Sequence, residues 1–558
     1  MANTEQSTDR GGMVPHMSAD QFRALGARML ETITGYWEGL DAGDGAGGGR
    51  LPVMCDKGPG WVLGQLPERA PEEPGGAGEW DAIFADVEKL IVPALTHWQS
   101  PNFYSFFPCN GSYPAILGEL LSAGLGVNGM LWATSPAATE LETRLLDWMA
   151  KAMGLSDEFL STSANGGGCI QATASESTLA ALLAARQRAR AKGAEEEEGN
   201  SPRRATEGHG GRQGWGEEKG RGRGAPEYVV YASTQAHSSV AKAAMIAGIA
   251  DGPEDPHIWL VPVDASGAMR EDELVRMVRE DVTAGRVPLM VCATVGTTGI
   301  TAIDRVDRIA AALESVPGWR GADGSARGWL HVDAAHAGAL WLCEEFAHLR
   351  AGLERVDSIC FNPHKWMLTT FDCDLFWTRD RRSLVTSMSI NPAYLKNEAS
   401  ESGAVFDYRD WHVPLGRRFR ALKLWFVLRH YGLEGIRAYL REHVRLAALL
   451  ERWVAEDGAF ELCAARTMNL VVFRPRGKTG EDEAAQDART KALMDAVNRG
   501  GRLFVSPVVL PREWKGTERD HLAGRLAIRM CVGATLVEER HVRGAWEEIR
   551  RTTSGIHA

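Results

Sequence analysis

Hydrophobic and polar positions follow two alternating periods through the middle of the chain. Short apolar runs bounded by glycine, proline or polar residues predict strands, and apolar residues at helical spacing between several of them predict helices. The predicted strands are 227–233, 257–263, 288–295, 329–334, 358–361 and 374–378, and the predicted helices are 239–248, 271–284 and 304–313. This alternation indicates an α/β fold with a mostly parallel sheet and ligands at the strand ends.

The two ends of the chain have other patterns. Ser18 and Gln21 fit a capping box that opens an amphipathic helix over 18–40. Near the C-terminus, predicted helices over 419–430 and 433–454 are followed by short strands over 468–473, 503–509 and 526–531 and by a final helix over 537–551. We therefore expect an N-terminal helical segment (1–112), a large sheet domain (113–422) and a smaller α+β domain (423–558).

Residues 194–224 interrupt the large domain. Four glutamates are followed by Gly/Arg-rich sequence, a composition typical of disorder. An RNA-binding tether is the alternative, but the segment is mixed in charge and contains a single aromatic residue, Trp215. The net charge of −11 also argues against a nucleic-acid partner.

The composition is that of a soluble protein. Hydrophobic residues make up 44% and charged residues 24% of the 558 positions. The nine cysteines are irregularly spaced without a CxxC pair, which favours reduced thiols, and no metal site is predicted. Since neither a signal peptide nor an apolar run of membrane-spanning length is seen, we expect a cytoplasmic protein without a membrane contact.

Lys365 follows the apolar strand 358–361 directly. A lysine at the inner end of such a strand is costly to desolvate as a cation, so its pKa falls and the neutral amine becomes a nucleophile. A surface lysine is the alternative. Asp333 ends another apolar strand 32 residues earlier, as spacing between neighbouring parallel strands would require. Its alternative role is to cap the next helix.

Two further segments contain candidate ligand contacts. The glycines of 165–168 predict a loop that leads to Thr173 and Glu176, a capping-box pair that predicts a helix over 175–186. Free N–H groups at such a helix start bind anions, although a plain cap explains the pattern equally well. His237 directly follows a strand, and an ordinary surface or core histidine is its alternative.

Three motifs occur in a specific order: QAHSS at 235–239, HVDAA at 331–335 and NPHKW at 362–366. From about residue 18 to 551, apart from the insert and smaller loops, the chain resembles the aromatic L-amino-acid decarboxylases of group II. These enzymes depend on pyridoxal phosphate (PLP). The resemblance implies PLP fold type I, as in aspartate aminotransferase, and a homodimer with active sites at the subunit interface.

The resemblance also assigns roles around the cofactor. Lys365 would hold PLP as a Schiff base, Asp333 would pair with its ring nitrogen, and His237 would stack on its ring. The remaining cofactor contacts that it implies are Ala174, Ser175 and Asn362 at the phosphate, Thr298 at the ring, and His364.

Tyr394 matches the tyrosine that reprotonates Cα after CO2 leaves in these decarboxylases, whereas relatives with phenylalanine there are aldehyde synthases. The substrate contacts that the resemblance implies are Trp98, Phe106, Phe107, Cys109, Met130 and Gly416. Phe106, Cys109, Met130 and His336 depart from the usual residues. These departures favour a substrate ring without a catechol, because hydroxyl-binding groups are missing.

The expected function is decarboxylation of aromatic L-amino acids. The glycine at 416 favours tryptophan or 5-hydroxytryptophan, with dihydroxyphenylalanine or tyrosine possible. Alternatives are an aromatic acetaldehyde synthase, a decarboxylase of acidic amino acids, and a non-catalytic scaffold that keeps the PLP fold. Because aromatic residues rather than basic ones line the predicted pocket, the acidic substrates are disfavoured.

Overall fold

A seven-stranded sheet organises the large part of the chain. The structure is a computed structural model that describes residues 16–41, 51–72, 75, 78–200, 226–319, 328–390, 405–510 and 524–557, without the side chains of 194–200, 556 and 557. The strands of this sheet are β1 (Gly167–Gln171), β2 (Tyr228–Ser233), β3 (Ile258–Val261), β4 (Val287–Thr294), β5 (Trp329–Asp333), β6 (Ser358–Phe361) and β7 (Asp374–Thr378).

The strand order across the sheet is β1-β7-β6-β5-β4-β2-β3. Strand β7 runs antiparallel to both of its neighbours, and the pairs from β6 to β3 are parallel. The mostly parallel sheet expected from the sequence is confirmed. Its central parallel strands end at one edge of the sheet, where a ligand site is expected.

Helices cover both faces of the sheet. The helices of the described residues are α1 (Ala19–Asp41), α2 (Glu79–Asp86), α3 (Tyr113–Leu125), α4 (Pro136–Ala152), α5 (Ala174–Asn200), α6 (Ser239–Ile246), α7 (Glu271–Thr283), α8 (Val306–Glu314), α9 (Pro363–Trp366), α10 (Arg381–Met388), α11 (Arg420–Glu456), α12 (Glu483–Arg499) and α13 (Glu539–His557). The core on one face includes residues of α4, α7, α8 and α11. The core on the other face includes residues of α5, α6 and α10.

Strand residues alternate between these two cores because successive side chains point to opposite faces. Val332 and Ile359 belong to the first core, and Cys360 belongs to the second, against α5. Asp333 pairs with Cys360 in the β5–β6 register. This alternation places Asp333 on the α5 side of the sheet, at the strand end.

A second sheet lies in the C-terminal part of the chain. Its strands, β8 (Phe460–Leu462), β9 (Leu470–Pro475), β10 (Ser506–Leu510) and β11 (Arg525–Cys531), are antiparallel in the order β10-β11-β9-β8. Helices α11, α12 and α13 contribute to the core that this sheet shares. The α+β pattern predicted there agrees with this arrangement, but β8 and α12 were not predicted. The domain boundaries stay a prediction.

The structure corrects the interpretation of the glycines at 165–168. Gly167 and Gly168 lie in β1, which is buried throughout, and not in a ligand-binding loop. A Cβ on Gly168 would come within 2.7 Å of the Trp377 ring, and one on Gly166 within 1.7 Å of the Glu158 carbonyl oxygen. Glycine is needed here because β1 packs closely against β7 and the segment before it.

Two helices differ from their predicted bounds. Helix α5 continues to Asn200, so the predicted disordered insert does not begin at 194. Alanine, lysine and glutamate at 191–198 are good helix formers, which explains the extension. Residues 201–225, which contain the rest of the predicted insert and of the alternative RNA tether, lie outside the described residues. Helices 419–430 and 433–454 are two parts of α11, bent at Gly432 with φ of 61°.

Candidate active site

A cavity of about 200 Å³ opens at the end of the large sheet. It lies where β4, β5 and β6 end, beside the N-terminus of α5. The residues that line it are Phe107, Thr173, Ala174, Ser175, His237, Thr294, Gly296, Thr298, Asp333, Ala335, His336, Asn362, His364 and Lys365. The structure therefore brings together all the residues that the sequence predicted as cofactor contacts.

Lys365 lies in the short helix α9, which begins two residues after β6. The side chain is half-buried, and its Nζ lies 5.2 Å from the centroid of the Phe107 ring. Desolvation lowers the pKa of Lys365, and the negative charge of Asp333 opposes this shift. A larger fraction of the amine is therefore neutral and nucleophilic than for a lysine in water.

The carboxylate of Asp333 is buried and receives hydrogen bonds from its own side of the sheet. The N–H of Ala335 donates to Asp333 Oδ1 over 3.0 Å. The Cys360 thiol also donates to Oδ1, with 3.9 Å between Sγ and the oxygen. Burial raises the pKa of Cys360 well above its ordinary value, so this thiol stays protonated and acts as a donor.

A chain of hydrogen bonds continues behind Cys360. His331 Nε2 lies 3.8 Å from Cys360 Sγ, and His331 Nδ1 lies 2.8 Å from Ser358 Oγ. Trp329 Nε1 donates to the same Ser358 oxygen over 2.8 Å. Because the Trp329 indole can only donate, the Ser358 oxygen accepts that hydrogen bond, and the hydroxyl hydrogen of Ser358 can be donated to His331 Nδ1. His331 Nε2–H then donates to Cys360 Sγ, and the Cys360 thiol donates to Asp333 Oδ1.

His237 stands at the mouth of the cavity, where its side chain is exposed. The N–H of Ser239 donates to His237 Nδ1 over 3.2 Å, which fixes Nδ1 as an acceptor and leaves the proton on Nε2. Desolvation by the surrounding protein lowers the pKa of this imidazole; the charge of Asp333 opposes this shift, and the charge of Lys365 adds to it. A neutral ring with one fixed orientation is suited to stacking on a flat ligand.

The opposite side of the cavity is suited to an anion. Ala174 and Ser175 begin α5, where first-turn N–H groups lack an intrahelical acceptor. The predicted capping box is modified, because Glu176 Oε2 accepts from the Ala172 N–H over 2.9 Å and not from Thr173. Thr298 is exposed at this cavity.

Some polar atoms at the cavity are not satisfied by the described part of the protein. Asn362 Oδ1 and Thr294 Oγ1 are buried and have no hydrogen-bond partner among the described residues. His364, in contrast, accepts the Cys373 N–H at Nδ1 over 2.9 Å, and burial lowers its pKa to about 3. Buried polar atoms without partners suggest that a polar ligand completes this site.

Three of the predicted substrate contacts lie near the cavity without lining it. Trp98 stacks on Phe106 with 5.6 Å between ring centroids, and both rings are partly exposed. Cys109 is half-buried, and the charges of Lys365 and Lys423 reach its thiol. Phe107, the residue that follows Phe106, does line the cavity.

Two more predicted contacts lie on a different surface. The backbone N–H of Gly129 donates to the carbonyl oxygen of Arg417. Met130 follows Gly129 and Gly416 precedes Arg417, so each is next in sequence to one partner of this hydrogen bond. Gly416 is exposed and faces Asn128. Neither Met130 nor Gly416 is among the residues that line the cavity of the same chain. Tyr394 lies outside the described residues.

Several lining residues were not predicted as contacts: Thr173, Thr294, Gly296, Ala335 and His336. Thr294 pairs with Asp333 in the register of β4 and β5. Its place at the end of a predicted parallel strand was a usable signal, because such ends meet at one edge of a sheet. For His336, the sequence indicated only that the residue departs from the family pattern.

The motif resemblance is confirmed by comparison with known proteins. Residues 59–206 and 222–476 match the pyridoxal-dependent decarboxylase conserved domain. The chain belongs to the pyridoxal-dependent decarboxylase family. It is 39% identical to tryptophan decarboxylase 2 of Oryza sativa over 96% of this chain and 95% of that protein. It is also 39% identical to phenylacetaldehyde synthase of Arabidopsis thaliana over 98% of both chains.

The fold agrees with this membership. The crystal structure of Oryza sativa tryptophan decarboxylase with PLP and tryptamine superposes with a TM-score of 0.83 at 34% identity. The alignment covers 98% of this chain and all of the other. This pyridoxal-dependent decarboxylase therefore has PLP fold type I, as expected from the motifs.

The cavity fits the family cofactor. Lys365 offers an amine for an aldehyde, Asp333 offers a carboxylate for a ring nitrogen, and the N-terminus of α5 offers N–H groups for a phosphate. The unsatisfied atoms of Asn362 and Thr294 lie in the same lining. These are the groups that PLP requires from a protein.

Proposed function

We propose that this decarboxylase converts aromatic L-amino acids to arylalkylamines and CO2, with PLP held by Lys365. The main observation in support is that one cavity is lined by Lys365, Asp333, His237 and the first residues of α5. When bound, PLP supplies an electron sink for the pair of electrons left at Cα as the carboxylate departs. Each protein group supports one part of this chemistry.

Asp333 would pair with the ring nitrogen of bound PLP, and the donors from Ala335 and Cys360 keep its carboxylate in place. The first turn of α5 would bind the phosphate through the N–H groups of Ala174 and Ser175, with Asn362 as a further phosphate contact, and Thr298 would contact the ring. His237, which lines the same cavity, would stack on the cofactor ring. The depressed pKa of Lys365 makes its amine available for exchange with the substrate amine.

Tyr394 is the proton donor to Cα in this proposal. A phenol can deliver a proton to carbon, whereas a phenylalanine cannot. With a proton delivered, the product is the amine. Without it, the electron-rich carbon is open to oxidation by O2.

Tryptophan or 5-hydroxytryptophan is the favoured substrate, and dihydroxyphenylalanine or tyrosine is also accepted. The small residue at 416 leaves room for an indole, and Phe107 supplies an aromatic wall to the cavity. Support also comes from the similarity to the rice tryptophan decarboxylase.

The active unit is a homodimer in this proposal. One face of α3, which we call the α3 face, exposes Leu117, Leu120, Leu121 and Leu125. Leu120 and Leu125 are each about half exposed, at 51% and 52%, which is unusual for leucines aligned on one helix face. A second copy would cover this surface. It would also bring Met130 and Gly416, which lie near it, to the partner's cavity.

The protein is cytoplasmic in this proposal. All nine cysteines are free, as expected in a reducing compartment. No helix in the described part of the chain is long and apolar enough to cross a membrane.

An aromatic acetaldehyde synthase is the second candidate, because the chain is as similar to phenylacetaldehyde synthase as to tryptophan decarboxylase 2. The two activities differ in products. Both release CO2, but the synthase consumes O2 and forms aldehyde, ammonia and hydrogen peroxide.

One experiment decides between them. The PLP-loaded protein is incubated with tryptophan, tyrosine, dihydroxyphenylalanine, phenylalanine or histidine, and amine, aldehyde, CO2 and hydrogen peroxide are measured. We expect amine and CO2 in equal amounts, with little peroxide, and no product from the Lys365→Ala variant. Aldehyde and peroxide in place of amine would establish the synthase, and absence of CO2 from every substrate would refute both candidates.

A further inference from the structure

The imidazole of His336 is enclosed between two aromatic rings. Its centroid lies 3.8 Å from that of Phe107 and 4.7 Å from that of Trp366, with interplanar angles of 9° and 10°. Only 1% of the residue is exposed. Since both faces of the ring are covered, it can meet polar groups only through its edges.

Asn469 determines which nitrogen of His336 carries the proton. The Asn469 Nδ2 group donates to the Val532 carbonyl over 3.0 Å, which places its Oδ1 against His336 Nε2 at 2.9 Å. An oxygen can only accept, so Nε2 carries the hydrogen. The opposite amide orientation would set the Asn469 oxygen against the Val532 carbonyl oxygen. His336 Nδ1 therefore carries a lone pair and no hydrogen, so it can only accept a hydrogen bond.

This lone pair has no hydrogen-bond partner among the described residues. Burial keeps the pKa of His336 well below its ordinary value, and the nearby charges of Lys365 and Arg529 act in the same direction. The ring thus stays neutral and does not become a donor. An acceptor that is buried without a partner is unfavourable, and a ligand that brings a donor relieves this cost.

His336 is also one of the residues that line the cavity. Its faces lie on Phe107 and Trp366 and its Nε2 edge lies on Asn469, so the edges left over include Nδ1. The same site holds an orphaned acceptor and, in the proposed function, an aromatic substrate ring.

We propose that His336 Nδ1 accepts a hydrogen bond from an N–H or O–H on the substrate ring and makes the enzyme select aromatic amino acids that carry such a donor. This inference rests on the proposed function and deepens it. It also revises the expectation from sequence that the departure at 336 removes a ring-binding group, because the histidine supplies an acceptor of its own. Indole and phenol side chains satisfy it, and the phenylalanine side chain does not.

Matched substrate pairs test the inference on the PLP-loaded protein. Tyrosine is compared with phenylalanine, and tryptophan with 3-(3-benzothienyl)alanine, in which sulfur replaces the indole N–H. We expect kcat/KM to favour the donor-bearing member of at least one pair by about tenfold or more, since a site built around a hydrogen bond discriminates against a substrate lacking it. Ratios near one in both pairs would overturn the inference.

Two variants assign the preference to Nδ1. His336→Phe keeps a ring between Phe107 and Trp366 but has no acceptor, and we expect the pair ratio to fall to within about threefold. The fall should come from weaker turnover of the donor-bearing member, with kcat/KM of its partner little changed. The control, Trp366→Phe, alters the other side of the same stack and should keep the pair ratio. A ratio that persists in His336→Phe would overturn the role of His336.

A binding measurement covers the case in which His336→Phe does not fold. Tyramine and phenethylamine are titrated as ligands into the wild-type PLP-loaded protein by isothermal titration calorimetry, and we expect tyramine to bind about tenfold more tightly. Equal affinities would overturn the inference. Failure of the proposed function looks different, because no amino acid of either pair would then release CO2, while the two amines would still report whether the cavity favours a ring donor.

Discussion

Cys360 Sγ lies 3.9 Å from Asp333 Oδ1, across the paired strands β5 and β6. The contact links the proposed counter-ion of the cofactor to His331, whose Nε2 lies 3.8 Å from the same sulfur. Burial lowers the pKa of His331 to about 4, so the ring is neutral at physiological pH. The carboxylate is thus held by neutral donors that leave its charge available to the cofactor.

Replacing the thiol should weaken cofactor binding. In Cys360→Ala, Asp333 loses one donor, so its carboxylate is less well placed against the ring nitrogen, and we expect the Kd for PLP to rise severalfold. Cys360→Ser keeps a donor and serves as the control, with a smaller change. Titration of the apoprotein with PLP, followed by absorbance of the bound cofactor near about 420 nm, measures this. Equal affinities in all three proteins would show that the thiol contributes nothing.

Glu142→Gln should destabilise the large domain. Arg417 forms two hydrogen bonds with Glu142, at 2.7 and 2.9 Å, and both side chains are almost fully buried. Removing one charge leaves a buried guanidinium without its counter-ion, at a cost of about 3–5 kcal/mol. Glu345→Gln, in the exposed pair with Arg441, should cost less than about 1 kcal/mol.

Urea unfolding followed by circular dichroism compares these two variants with the wild type. The midpoint should fall clearly for Glu142→Gln and hardly at all for Glu345→Gln. If the two midpoints coincide, the buried pair is not a major stabilising contact.

Tyr394→Phe should change the product rather than abolish turnover. Without the phenolic proton donor, reprotonation of Cα slows by about 10²-fold or more, and reaction with O2 competes. We expect amine to fall and aldehyde, ammonia and hydrogen peroxide to appear while CO2 release continues. Product analysis by chromatography with a peroxide assay measures this. Unchanged amine output without aldehyde would remove Tyr394 from the mechanism.

Charges on the α3 face should separate the subunits. In a variant with both Leu120→Lys and Leu125→Lys, two cations would have to be buried on association, and we expect a monomer with reduced activity. Leu63→Lys is the control, since Leu63 is 76% exposed and lies outside the α3 face. Sedimentation velocity gives the masses. A monomeric wild type, or a double variant that remains dimeric, would contradict the proposed interface.

Stability should fall as the solution is acidified below about pH 6.5. Burial holds the pKa of His331 at about 4 and the pKa values of His364, His412 and His443 at about 3, against an ordinary value of 6.5. These groups bind protons in the unfolded chain before they do so in the folded one. Their contribution is complete above pH 6.5 and is lost as pH falls toward the folded values.

Each such histidine contributes a slope of about 1.4 kcal/mol per pH unit within that window. Asp304, Asp374 and Asp410 act in the opposite direction, because burial raises their pKa values, but His336 joins the four histidines, since burial holds its pKa well below the ordinary value. Urea midpoints between pH 7.5 and 4.5 should therefore decline with increasing steepness. A flat profile over this range would show that these histidines are not desolvated in solution.

Local sequence patterns located most of the sheet. Strands β6 and β7 were predicted at their observed bounds because apolar runs bounded by polar residues define buried strands. The start of α1 was also predicted, and Ser18 and Gln21 form the expected reciprocal hydrogen bonds at 2.9 and 3.2 Å. Strand β1 was missed because its glycines serve a tight contact with Trp377, which is distant in sequence.

The sequence by itself determined the α/β fold, the order of the motifs and the positions of Lys365, Asp333 and His237, because these depend on strand periodicity and on residues next to strand ends. Only the tertiary structure decided that His336 lies between Phe107 and Trp366 with Asn469 on its Nε2, and that Cys360 supports Asp333. Such contacts join segments that are distant in the sequence, as between Phe107 and His336, which are 229 residues apart. They follow from packing in three dimensions, which no local pattern of apolar and polar residues encodes.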